Sequence, residues 1–134
     1  MQGKLQIALL EREAGPAAGG RREDGTVFVG VSPDTGRALF AAAADLSLSS
    51  TFNQMQDLAA SFIGHGHRDW RPPTKNELRM IFDNRAAIGG FDKSGTYWSI
   101  TQDTSFSAWC QRFSDGKQAQ HGVDMRHALR PVRG

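Results

Sequence analysis

The chain of 134 residues is 39% hydrophobic and 22% charged with a mean hydropathy of −0.46, the size and balance of one globular domain and outside the range of a disordered chain. Sixteen Lys and Arg against fourteen Asp and Glu give +2, too little to imply nucleic acid, and no apolar run approaches the ~20 residues that span a bilayer. The Leu5 to Leu10 stretch is too short for a signal-peptide core and no small-residue cleavage site follows it, so the chain is expected to be soluble, with no membrane insertion and its compartment unknown.

Charge is uneven: residues 1–67 carry five bases and seven acids, residues 68–134 eleven and seven, so an anionic partner is expected on the C-terminal half. The single cysteine, Cys110, excludes an internal disulfide, and no Cys cluster has metal-ligand spacing.

In chain order, residues 1–23 read as an N-terminal arm or linker rich in Gly, Ala, Pro and charge, and residues 24–134 as the domain. Thr26 to Val31 and Arg37 to Ala41, joined by Ser32-Pro33-Asp34-Thr35-Gly36, predict a β-hairpin. Asp45 to Ser50 reads as irregular. Thr51 then caps a helix with an apolar stripe of Phe52, Met55, Leu58, Ala59, Phe62 and Ile63, stopped by Gly64. Thr74-Lys75-Asn76-Glu77 is a capping box, followed by the stripe Leu78, Ile81 and Phe82 of a second helix. After Asn84 the pattern turns non-helical. Strands are expected around Tyr97-Trp98, Ala108-Trp109 and Gln111 to Phe113, a tight turn at Ser114 to Lys117, and a last strand from about Ala128 to Val132. The whole describes an α+β domain.

His67-Arg68-Asp69-Trp70-Arg71-Pro72-Pro73-Thr74-Lys75-Asn76-Glu77-Leu78, Tyr97-Trp98-Ser99, Ala108-Trp109, Phe113-Ser114-Asp115-Gly116 and Leu129-Arg130-Pro131-Val132-Arg133 together resemble the bacterial family DUF1566, also called the Legionella collagen-like protein C-terminal domain, over residues 24–133. The resemblance implies a C-type-lectin-like fold, two helices packed beside a twisted antiparallel sheet with the terminal strands near each other. It also implies adhesion or surface binding, with acidic glycans as ligand class. Pro72 and Ile100 depart from the family's usual Leu or Val and Ser. A weaker resemblance to formylglycine-generating oxidases fails at the chemistry, because those enzymes bind copper with two cysteines and this chain has one.

No nucleophile elbow, phosphate cradle or spaced Cys–His pair is present, so no catalytic residue, cofactor or metal is expected and the chain is read as a non-enzyme. The Glu-Pro-Asn, Gln-Pro-Asp and Trp-Asn-Asp triplets of lectin calcium sites are missing. His65-Gly66-His67 with Asp69 reads as a loop positioning Trp70, the alternative being a metal nest. Cys110 reads as a small buried hydrophobe, and nothing in the spacing brings His121 and His127 together. Trp70 and Trp98 read as core, while Trp109 serves equally as core or as a sugar platform. Arg112, Lys117, Arg126, Arg130 and Arg133 give residues 104–134 a local +3. The expected ligand-binding set is therefore Trp109, Arg112, Lys117, His121 and Arg126, taking an acidic glycan or a protein partner. Self-association through the arm into a homo-oligomer or fibre is the alternative function.

Overall fold

The computed structural model describes residues 18–134, and within it the β-branched run after Thr26 is strand β1 (Val27–Val31), paired antiparallel with β2 (Ala38–Ala41). β8 (Val132–Arg133), from the far end of the chain, pairs with the other side of β2 and completes a three-stranded sheet. Most of the N-terminal arm lies outside the described residues. Its described end joins the domain: Gly19 N–H donates to Phe28 O and Phe28 N–H to Gly20 O, at 2.8 and 2.9 Å.

A second, five-stranded sheet runs in the order β3 (Ser47–Ser50), β7 (His127–Leu129), β4 (Thr96–Thr104), β5 (Ser107–Arg112), β6 (Gln118–Gly122). Its pairs are antiparallel except β4 with β7, which is parallel, so the sheet is mixed where an antiparallel one was expected. Register shifts along β4 between Trp98 and Gln102 and between Gln102 and Thr104 curl it.

Paired residues share a face, so Trp98, Cys110 and Ala119 lie on one side of the sheet with Ala108 and His121. Helix α1 (Phe52–Ser61) covers that side, packing Phe52, Met55 and Ala59 against Trp98, Ala108, Cys110 and Leu129. The other side presents Tyr97 and Phe113 to Leu78 and Ile81 of α2 (Lys75–Asp83) and to Val27, Val29 and Leu39 of the small sheet. Each fully buried side chain of this size contributes about 1.5–3 kcal/mol. Both helices begin with the capping boxes their sequences encode: Thr51 accepts from Gln54 N–H and Thr74 from Glu77 N–H.

Four expectations are corrected. α1 ends at Ser61, with Phe62 extended as its cap, so Ile63 lies beyond the helix and is exposed, and Leu58 is exposed because α1 buries only the side facing the sheet. A short helix α3 (Arg85–Ile88) follows Asn84 where a non-helical segment was expected. The irregular Asp45 to Ser50 segment contains β3, held by pairing with β7 in spite of its serines. The single last strand is two, β7 and β8, belonging to different sheets. Between them Pro131 has no N–H to continue a ladder, while its carbonyl accepts from Ala42 N–H.

Candidate functional site

The five residues expected to bind ligand do not converge. Trp109 pairs with Gln120 on the α2 side of the sheet, half-buried, with Lys75 Nζ 3.4 Å from its ring centroid. Arg112, Lys117 and His121 lie on the opposite side, around a cavity of about 120 Å³ shared with Thr96, Cys110 and Ala119. Arg126 occupies a third place, donating to Ser49 and Gln54 in a depression it shares with Asp57 and Leu58.

The basic C-terminal segment is largely neutralised from within. Arg112 forks onto Asp115 inside its own turn, and Arg133 Nε donates to Asp69 at 2.8 Å. Arg130 is fully buried: Nε donates to Asp45 Oδ1 at 2.8 Å, and its remaining donors meet the carbonyls of Ala42, Gly89 and Gly90. The sequence cannot show this, because the partner of each base except Arg112 is distant in the chain.

Trp70 and Trp98 are core, as expected, and each indole N–H is satisfied, by Gly64 O at 3.0 Å and Ser50 O at 2.8 Å. His65 Nδ1 meets Asp24 O and its Nε2 accepts from Ala43 N–H, so both ring nitrogens serve the backbone. His67 pairs with the Asp24 carboxylate, and that contact, together with the Thr26 hydroxyl and N–H, holds Asp24 well below the usual carboxylate range. The loop thus fastens Trp70 and the residues around Asp24. His121 and His127 do meet: Nδ1 of the first is 2.8 Å from Nε2 of the second. Burial, with His121 adding to it, pushes His127 down to about 4, and burial pushes the Cys110 thiol up to about 12.

A further concavity lies elsewhere, between α3 and the β5–β6 turn. It encloses about 540 Å³ lined by Arg85, Ala86, Gly89, Gly90, Phe91, Lys93, Phe113 and Ser114. Its floor is aromatic, with Phe91 and Phe113 centroids 5.0 Å apart and Phe113 backed by Tyr97 at 4.4 Å. Two exposed cations stand on its rim. Arg85 lies 3.8 Å from the centroid of Phe82 and donates to Phe82 O, and Lys93 follows in the next turn. No carboxylate is among the lining residues.

Local sequence and one buried arginine build this cleft. α3 ends at Gly89, and Gly89 and Gly90 have φ of 81° and 78°, which glycine adopts without strain. A Cβ at Gly90 would sit 3.1 Å from Arg130 Nη2 and 3.2 Å from Ala43 O. Arg130 fixes both glycine carbonyls and lies 4.0 Å from the centroid of Phe91, while Tyr97 donates to the other oxygen of Asp45 and accepts from Asp92 N–H. Burial first, and then Asp45, push the Tyr97 phenol up, so it stays a donor. The signal for this cleft in the sequence was the pair of bases, Arg85 and Lys93, flanking Gly89-Gly90-Phe91.

No helix among the described residues is long and apolar enough to cross a membrane. No curated protein matches the sequence. The family profile of the Lcl C-terminal domain matches residues 28–133, and the chain belongs to that family.

Proposed function

We propose that this domain is a non-catalytic recognition module of lectin-like fold that takes an acidic glycan in the cleft between α3 and the β5–β6 turn. The observation that carries this reading is the cleft itself: about 540 Å³, a floor of two phenylalanines, two exposed cations and no lining carboxylate. Its volume is that of a small-molecule site. An aromatic floor suits the apolar face of a pyranose ring, and Arg85 and Lys93 suit carboxylate or sulfate groups through charge-assisted hydrogen bonds. The site moves from the C-terminal face to α3, since Arg112, Arg130 and Arg133 are already paired with acids.

The test is binding to sulfated and uronic-acid oligosaccharides, with and without calcium, at low and raised salt. Binding that ignores calcium, weakens with salt and falls at least tenfold in Arg85→Glu and Lys93→Glu supports the cleft. Loss in Lys117→Glu or Arg126→Glu instead returns the site to the C-terminal face. Silence across the panel overturns the glycan reading.

A second reading, assembly, is favoured by one observation. Phe106 in the β4–β5 turn is 79% exposed and Met125 44%, on loops joined by Val123 N–H donating to Phe106 O. Light scattering on the full chain, on Phe106→Ser and on a chain lacking residues 1–17 decides it. A mass that drops in either variant supports assembly, and a monomer throughout sinks it.

A further inference from the structure

Three side chains on the α1 side of the large sheet have the chemistry and placement of metal ligands. Cys110 comes from β5, His121 from β6 and His127 from β7, and one ligand atom of each lies within 4.8 Å of the other two. We propose that Cys110, His121 and His127 form a three-ligand site for an ion of the zinc class. One thiol and two imidazoles are borderline-soft donors, which favour such an ion over calcium or magnesium.

The sheet register explains the convergence. Cys110 pairs with Ala119 and His121 with Ala108, so Cys110 and His121 are diagonal neighbours on one face, with two alanines at the remaining corners. Alanine leaves the space between them open. The third ligand arrives because the chain after His121 turns at once, Met125 N–H donating to Gly122 O, and crosses over to β7, which runs parallel to β4 and in the same direction as β6. The His127 ring lies edge-on to Trp98 at 4.7 Å and 4.9 Å from the His121 ring. Trp98 is the cross-strand partner of Cys110, which puts all three ligands above one patch of sheet.

The two imidazoles are already aimed at each other. A contact of 2.8 Å between Nδ1 of His121 and Nε2 of His127 needs a proton on one nitrogen and a lone pair on the other, both on one line. An ion replacing that proton finds two lone pairs converging on it. With Zn–N bonds of about 2.0–2.1 Å in a tetrahedron, the nitrogens part to roughly 3.3 Å, a move of about half an ångström. Cys110, whose thiol donates to Ala119 O in the metal-free chain, supplies the third bond. Because each group has a partner without the ion, the domain folds empty, and the ion adds stability by mass action. Cys110 and His121 also line the 120 Å³ cavity beside Arg112 and Lys117, which gives solvent or a small anion a route to a fourth position. His65 and His67 offer no such site, their contacts being with Asp24 and Ala43.

Titrating the metal-free full chain with Co²⁺ tests the site. Saturation at one equivalent, with a thiolate-to-cobalt charge-transfer band and strong tetrahedral visible bands that Zn²⁺ abolishes, is the expected result. Cys110→Ser removes the charge-transfer band, His121→Ala and His127→Ala weaken uptake at least a hundredfold, and His67→Ala leaves the titration unchanged. A spectrum that stays that of the hydrated ion, or one untouched by His127→Ala, overturns the proposal. Should the ligand variants fail to fold, the wild-type chain decides alone: a thermal midpoint that rises with Zn²⁺ but not with Mg²⁺ supports the site, and one indifferent to both overturns it.

Discussion

Arg130 and Asp45, 85 residues apart in the chain, form an ion pair with the guanidinium wholly out of solvent and Nε 2.8 Å from Oδ1. The same guanidinium holds the Gly89 and Gly90 carbonyls and stacks on Phe91, so it joins the link between β7 and β8 to the floor of the proposed cleft. A residue that looks like surface charge in the sequence is an internal strut.

Removing one partner of a buried pair strands the other. Arg130→Met leaves Asp45 with only its Tyr97 contact and takes the guanidinium donor from three carbonyls, and is expected to cost about 3–5 kcal/mol in urea denaturation. Arg130→Lys keeps the charge but loses the planar fork, so its cost falls between that variant and wild type. A loss below about 1 kcal/mol for Arg130→Met would show that the pair has little structural weight.

Glu77 carries the acid limit. It is fully buried, accepting from Arg71 Nη1 and Nη2, from Ser32 Oγ at 2.6 Å and from Thr74 N–H at 2.9 Å. Burial pushes its carboxyl up, but Arg71, Ser32 and Thr74 together outweigh that and hold it at about 2, against the ordinary 4.5. The folded value is the lower one, so the stabilisation is fully present above about pH 4.5 and is lost as pH falls towards about 2. It amounts to about 3 kcal/mol, since each tenfold change in proton affinity on folding is worth ~1.4 kcal/mol. A pH series of chemical denaturations should show this decline in wild type and a flatter one in Glu77→Gln. Parallel curves would assign the acid sensitivity to other carboxylates.

What the sequence revealed follows from range. The capping boxes at Thr51 and Thr74 are encoded within four residues, and β1 and β2 by local β-branched runs and turn residues, so all were readable. Arg130 reads in the sequence only as one of five C-terminal bases, because its partners are Asp45 and the carbonyls at 42, 89 and 90, none within 39 positions of it. The meeting of His121 and His127 depends on the turn and crossover after Gly122 and on β7 choosing β4 as a parallel neighbour, which no spacing rule supplies. α3, with one turn, is too short to leave a periodic signal.

Two glycines separate backbone strain from steric clash. Gly116 in the β5–β6 turn has φ of 80°, and a Cβ there would lie 2.5 Å from the Phe82 ring. Gly36 has φ of 72° with nothing within 4 Å. Gly36→Ala is therefore expected to cost about 1 kcal/mol from conformation alone. Gly116→Ala should cost about 1–3 kcal/mol more, because Phe82 is packed edge-on against Phe113 at 5.2 Å and must shift. Equal losses in thermal denaturation would mean that Phe82 yields freely.

The two helix caps should differ in the same way. Thr51 joins only its own capping box, bonding with Gln54, whereas Thr74 also donates its hydroxyl to Asp34 in the turn between β1 and β2. Thr51→Ala is expected to cost about 1 kcal/mol, the usual value of a lost cap. Thr74→Ala should cost about 2 kcal/mol, since it releases Asp34 as well as the start of α2. A double-mutant cycle with Asp34→Ala isolates that second contribution: Asn76 also donates to Asp34, so Asp34→Ala alone removes both contacts, while the coupling to Thr74 reports only the shared one. Coupling of about 0.5–1 kcal/mol is the expected result, and additive losses would confine Thr74 to capping.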